Sequence, residues 1–252
     1  MPAKGIADVV FVIDASGSMK PCIDALRANI GTFVDSLYAN SVDFDLRLEF
    51  IALRVDPTES TFKIESSRSD EVCGDLYLKS DGGQGSSSKF WSTAEDFRKG
   101  LERVQVGADE DSLVALDFAL DLPWRTAAAC HRIVVLLTDE PVETGFQPEV
   151  RATMASKLVG KLVDLRIKLF IVGPYSPVFV ELSAADGAEF TEIKDEEVGK
   201  GLATTDFRKV LGAITKSISV ASLQSIPKSA KRGLFEQERW SHHSRFDLNT
   251  GS

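Results

Sequence analysis

Ala7-Asp8-Val9-Val10-Phe11-Val12-Ile13-Asp14-Ala15-Ser16-Gly17-Ser18 is the stretch whose reading decides the fold. Residues 7–13 form a short, β-branched apolar run, the pattern of a central strand buried on both faces of a parallel sheet. The run stops at Asp14, and Gly17 allows the chain to turn. Beyond the turn, Ile23, Leu26, Ile30, Phe33, Val34 and Leu37 recur at helical spacing, and Pro21 suits the first turn of a helix over 21–38. A buried strand, a polar turn and a helix in that order open an alternating α/β fold.

The alternation continues along the chain. Residues 44–55 and 61–64 read as a strand pair joined through Asp56-Pro57, and Ser92 or Thr93 caps a helix carrying Phe97, Leu101 and Val104. A helix over 112–122 follows the acidic turn Asp109-Glu110-Asp111. The strongest later strand, 131–138, then ends at Asp139. Helices over 148–165, 177–185 and 207–223 interleave with strands over 167–172 and 189–193. Uniformly apolar strands alternating with helices predict a mostly parallel sheet covered by helices on both faces, with the helix over 207–223 closing the domain. Within it, 66–90 is rich in Gly and Ser and reads as a flexible insertion loop. From 224 to 252 the apolar periodicity fades into a tail, in which Leu234, Phe235 and Trp240 are candidates for docking on a partner.

Composition narrows the function. With 252 residues and 43% hydrophobic content the chain can bury a full core, while a net charge of −9 without a Lys/Arg cluster speaks against nucleic-acid binding. Cys22, Cys73 and Cys130 are scattered and odd in number, as a reducing compartment tolerates. The apolar run 6–13 is about half the length of a signal peptide with its cleavage site, and no stretch reaches the roughly 18 apolar residues of a membrane span. A cytoplasmic protein is the expectation. Gly82 to Lys89 does not fit a phosphate-binding loop, and His242-His243, in the polar tail, reads as solvated rather than metal-binding.

The chemistry concentrates after the first strand. Asp14, Ser16 and Ser18 offer hard oxygen donors within one turn, suited to Mg²⁺, with Mn²⁺ or Ca²⁺ as alternatives. The competing reading is a turn whose Asp and Ser only cap the next helix. Two further acidic loops fall on the same edge: Asp139 ends a strand, and Asp109 precedes a helix.

Strand, Asp-x-Ser-x-Ser, helix, third loop and a later strand ending Thr138-Asp139 together resemble the metal-ion-dependent adhesion site of von Willebrand factor A domains. Leu53-Arg54-Val55-Asp56 and Leu136-Leu137-Thr138-Asp139-Glu140-Pro141 resemble further segments of that family. Gly107-Ala108-Asp109-Glu110-Asp111 follows one subgroup's third loop but lacks two of its glycines and its proline; the resemblance makes Asp109 the third-loop ligand, with Ser112 as the alternative if the loop is aligned on the following helix. The resemblance implies a three-layer, doubly wound fold over one domain, 1–223, with the metal at the top of the sheet, and a non-catalytic, metal-dependent protein-binding module. In it Ser16 and Ser18 bind the cation directly, Asp14 and Asp139 act mainly through waters and hydroxyls, and an Asp or Glu of a partner protein completes the coordination. It also implies that the last helix moves on binding. The acidic net charge suggests that the partner's carboxylate stands in a basic surround.

Two other functions share these features. An accessory subunit or adaptor of an ATPase-type complex uses the same binding site. A Mg-dependent phosphohydrolase of the haloacid dehalogenase type also places an Asp after its first strand, but it needs a second Asp where this chain has Ser16, which cannot serve as acid or base at neutral pH.

Overall fold

The computed structural model describes residues 5–39, 44–56, 61–66, 93–107, 111–127, 130–142, 148–194, 198–203 and 205–224. The expected insertion beyond Ser66, the tail from 225 onward with Leu234, Phe235 and Trp240, and Asp109 lie outside the described residues. The strands are β1 Gly5–Asp14, β2 Phe44–Asp56, β3 Thr61–Ser66, β4 His131–Leu137, β5 Ile167–Gly173 and β6 Glu189–Glu192. The helices are α1 Lys20–Ala39, α2 Ala94–Arg103, α3 Ser112–Leu120, α4 Pro148–Leu165, α5 Pro177–Leu182 and α6 Phe207–Gln224. A short 3-10 turn, Gly17–Met19, joins β1 to α1.

The strands form one sheet in the order β3-β2-β1-β4-β5-β6. Every neighbouring pair is parallel except β2 with β3, which run antiparallel as the strand-pair reading requires. Strand order reverses at β1: the chain first proceeds outward to β2, then crosses back to lay β4 on the other flank. In an open parallel sheet, ligands bind at such a switch point, outside the carboxyl ends of the strands. Here that crevice lies between the ends of β1 and β4.

Side-chain alternation along β1 divides the core in two. Val9, Phe11 and Ile13 pack with Ile23, Leu26 and Ile30 of α1, Phe97 and Leu101 of α2, and Leu211 and Ile214 of α6. Val10 and Val12 face the opposite way, onto Leu113 and Leu116 of α3, Leu158 and Leu162 of α4, and Phe179 of α5. Phe11, Phe50 and Phe97 meet edge to face at centroid distances of 5.5 Å, the favoured arrangement for aromatic quadrupoles. The result is the three-layer doubly wound fold. Among the described residues no helix is long and apolar enough to cross a membrane.

Local signals set the element ends. Thr93 caps α2 through the Asp96 amide, Asp111 caps α3 through the Leu113 and Val114 amides, and Ser176 caps α5 ahead of Pro177. α3 stops at Leu120, two residues short of the expected end, because Asp121 and Leu122 bond back to the Phe118 and Ala119 carbonyls and tighten the last turn. α5 likewise ends at Leu182 rather than 185.

At the amino end of β1, Asp8 is fully buried between two arginines. Arg47 Nε donates to one carboxylate oxygen at 2.8 Å, and Arg125 contributes Nε at 2.7 Å and its backbone amide at 2.9 Å. Burial alone would raise the Asp8 carboxyl, but the hydrogen bonds from Arg47 and Arg125 outweigh it and hold the group below the ordinary carboxylate range.

Candidate metal centre

β1 delivers Asp14 to the carboxyl edge of the sheet as its last paired residue, opposite Leu53 of β2. The chain then folds under itself. The Ser16 amide donates to Asp14 Oδ1 at 2.7 Å, and the Met19 amide donates to the Ser16 carbonyl at 3.1 Å. Ser16 occupies the N-cap position of the 3-10 turn, yet its side chain makes no capping bond. Its hydroxyl lies 2.9 Å from that of Ser18 instead. The helix-capping alternative therefore does not account for Ser16, although Asp14 does hold the turn through its bond to the Ser16 amide.

β4 brings the second carboxylate. Ser18 Oγ donates to Asp139 Oδ1 at 3.1 Å, and Thr138 Oγ1 donates to Asp14 Oδ2 at 3.0 Å. Asp14, Ser16, Ser18 and Asp139, named from sequence positions far apart, thus share one hydrogen-bonded cluster, with Thr138 as an added member. Asp139 and Thr138 are fully buried and Asp14 is 3% exposed, so the cluster meets solvent chiefly through half-buried Ser18 and exposed Gly17.

Two further loops brace the cluster. The Gly107 amide donates to the Ala15 carbonyl at 2.8 Å, and Gly107 bridges Ser16 in parallel register. Arg54, near the end of β2, donates to Gln105 Oε1 at 3.1 Å and ties the same loop down. From the far side, the Gly199 amide donates to the Asp139 carbonyl at 3.0 Å and the Gly201 amide to Asp139 Oδ2 at 2.5 Å. Gly201 has φ +66°, and a Cβ there would stand 1.9 Å from the Ser18 carbonyl oxygen. Both its backbone conformation and its closeness to Ser18 demand glycine.

The charge balance is unusual. Burial pushes the Asp14 carboxyl up to about 6, and the Asp139 charge adds to the rise, against hydrogen bonds from Ser16 and Thr138 that lower it. The buried Cys22 thiol is raised well above its ordinary value by burial and then by the charges of Asp14 and Asp139. Among the described residues, no Lys or Arg pairs with either carboxylate.

These donors fit a hard dication. All are oxygens, from two carboxylates and the hydroxyls of Ser16, Ser18 and Thr138, and such a set favours Mg²⁺, Mn²⁺ or Ca²⁺ over softer metals. Among the described residues no three His, Cys, Asp or Glu side chains gather around one point, so the set is hydroxyl-rich and carboxylate-poor. Asp109, in the third loop, lies outside the described residues. Ser112 opens α3 and is buried, and Asp111 spends its oxygen on the helix cap at 3.0 and 3.1 Å.

Reading by motif passed over Gly199, Gly201 and the role of Thr138. The alternating glycines in Val198-Gly199-Lys200-Gly201 were the available signal, since two glycines one residue apart mark a backbone that needs unusual torsions or close approach.

No family model matches the chain, and no curated protein matches it. Among solved structures it is similar to a chain described as von Willebrand factor type A from Catenulispora acidiphila, at 13% identity and a TM-score of 0.48. The similarity covers 88% of this chain and 43% of that one, so this chain spans less than half the length of the protein it is compared with.

Proposed function

We propose that this chain is a metal-dependent protein-binding module of the von Willebrand factor A kind. Asp14, Ser16, Ser18 and Asp139 hold the cation, and Asp109 joins them from the third loop, with Ser112 as the alternative. The observation that carries this reading is the buried pair Asp14 and Asp139, joined through serine hydroxyls at the switch point of the sheet and matched by no lysine or arginine among the described residues. A divalent cation bound there supplies a positive centre with exchangeable positions that a partner's Asp or Glu can fill. Thr138 and the Ser16 amide orient Asp14, while the Gly199 and Gly201 amides fix Asp139. Ser16 stands where a phosphohydrolase of the haloacid dehalogenase type needs its second Asp, which favours binding over that catalysis. Free thiols at Cys22 and Cys130 agree with a reducing, cytoplasmic setting.

Mn²⁺ provides the test, because bound Mn²⁺ with coordinated water accelerates the relaxation of water protons. Enhancement with the wild-type chain that falls as acetate is added, and that is missing in a Ser16→Ala, Ser18→Ala double variant, is the expected result. Enhancement unchanged by acetate would remove the partner carboxylate from this reading.

A further inference from the structure

Five large hydrophobic side chains are exposed among the described residues, and three of them stand on loops that brace or adjoin the candidate site: Val106 at 39%, Tyr175 at 59% and Val198 at 38%. They come from three separate loops. Val106 precedes Gly107, which bonds to Ala15. Tyr175 lies two residues beyond Gly173, where an added Cβ would stand 3.1 Å from the Thr138 side chain. Val198 precedes Gly199, which bonds to Asp139. Each is therefore held within one or two residues of a glycine that adjoins the cluster. Lys200, exposed between the two bracing glycines, has no acidic partner among the described residues.

Resting on the metal-dependent reading above, we infer that the occupant of this edge is a protein segment whose Asp or Glu is flanked directly by apolar side chains. The carboxylate takes an exchangeable position on the cation and answers the charge of Lys200. The apolar neighbours cover Val106, Tyr175 and Val198. Apolar contact around a charged centre excludes water and strengthens the central interaction, as the ring around an interface hot spot does. This departs from the basic surround suggested by the net charge of −9, a figure that does not say where charges stand. Asp195, Glu196 and Glu197 precede Val198 in sequence and lie outside the described residues, so basic flanks are the competing outcome.

A random peptide library displayed on phage, panned on the full chain in Mg²⁺ and eluted with chelator, separates the possibilities. The expected result is enrichment of Asp or Glu with apolar residues at the adjoining positions. A Val106→Ser, Tyr175→Ser, Val198→Ser variant should keep Mn²⁺ binding and chelator-released peptides, with the preference for apolar flanks lost and affinity for the selected peptides reduced about tenfold. Basic flanks, no flank preference, or no chelator-released enrichment from a chain that binds Mn²⁺ would overturn this inference and leave the metal site standing. A chain that binds no Mn²⁺ would overturn the metal-dependent reading itself.

Discussion

β1 carries two buried aspartates six residues apart, and the molecule treats them in opposite ways. Asp8, at the amino end, is enclosed by Arg47 and Arg125 and held below the ordinary carboxylate range. Asp14, at the carboxyl end, has only an amide and a hydroxyl as partners, faces a second carboxylate, and is pushed up to about 6. One charge is neutralised by the chain itself. The other has no lysine or arginine beside it among the described residues. Burial without an internal counter-charge is what separates a candidate functional acid from a structural one.

The largest expected effect comes from breaking the satisfied end. Asp8→Asn leaves two arginines around a neutral amide and should cost about 3–4 kcal/mol by urea denaturation, short of the full buried-pair penalty because both arginines keep some contact with water. A cost below 1 kcal/mol would show that the pair does little for stability.

The same exchange at the other end should have the opposite sign. In chelator, burial pushes the folded Asp14 carboxyl up to about 6 against an unfolded value of 3.8, so between these values the folded chain holds a proton that the unfolded chain releases. Its favourable contribution is complete below about pH 4 and lost as pH rises through 6, about 3 kcal/mol in all. Asp14→Asn keeps the shape and an oxygen for the Ser16 amide without the charge, while its amide nitrogen turns the Thr138 hydroxyl from donor to acceptor. The stability of this variant minus that of wild type should therefore grow between pH 4 and 7, reaching up to about 3 kcal/mol. Asp8 works in the other direction, contributing stability above its unfolded range and losing it as pH falls, and it cancels in this difference. A difference independent of pH would mean that Asp14 is not destabilised by its surroundings.

Smaller effects sharpen the geometry around Asp139. Gly201→Ala combines a left-handed torsion with a backbone clash at Ser18 and should cost about 2–3 kcal/mol and weaken metal binding. Gly199 shares the torsion, at φ +68°, but its Cβ would meet nothing, so Gly199→Ala should cost only about 1 kcal/mol. Equal thermal shifts for the two variants would show that contact with Ser18 is unimportant.

The two ends were not equally legible in the sequence. The carboxyl end was announced by local pattern: an apolar run, then Asp14, Ser16 and Ser18 within one turn, and later Thr138-Asp139 closing a second apolar run. The helix cap, legible as Ser92 or Thr93 and found at Thr93, and α4 over Pro148–Leu165 are equally local signals. The amino end was silent. Asp8 is one acid within a strand, and Arg47 and Arg125 lie 39 and 117 positions away, brought to it by parallel pairing and by the approach to β4 rather than by any spacing. The glycine brace at 199 and 201 was hidden for the same reason, since it crosses from beyond β6 to β4. The third loop is the part where a ligand named from sequence, Asp109, has no described position to compare.

Calorimetric titration of Mg²⁺ and Mn²⁺ into the metal-stripped chain tests most directly whether an outside cation takes the place at Asp14 that arginines take at Asp8. Saturable binding to the wild type that is lost in Asp14→Asn and in the Ser16→Ala, Ser18→Ala double variant is the expected result. No binding at millimolar metal, or binding that survives both changes, would contradict it.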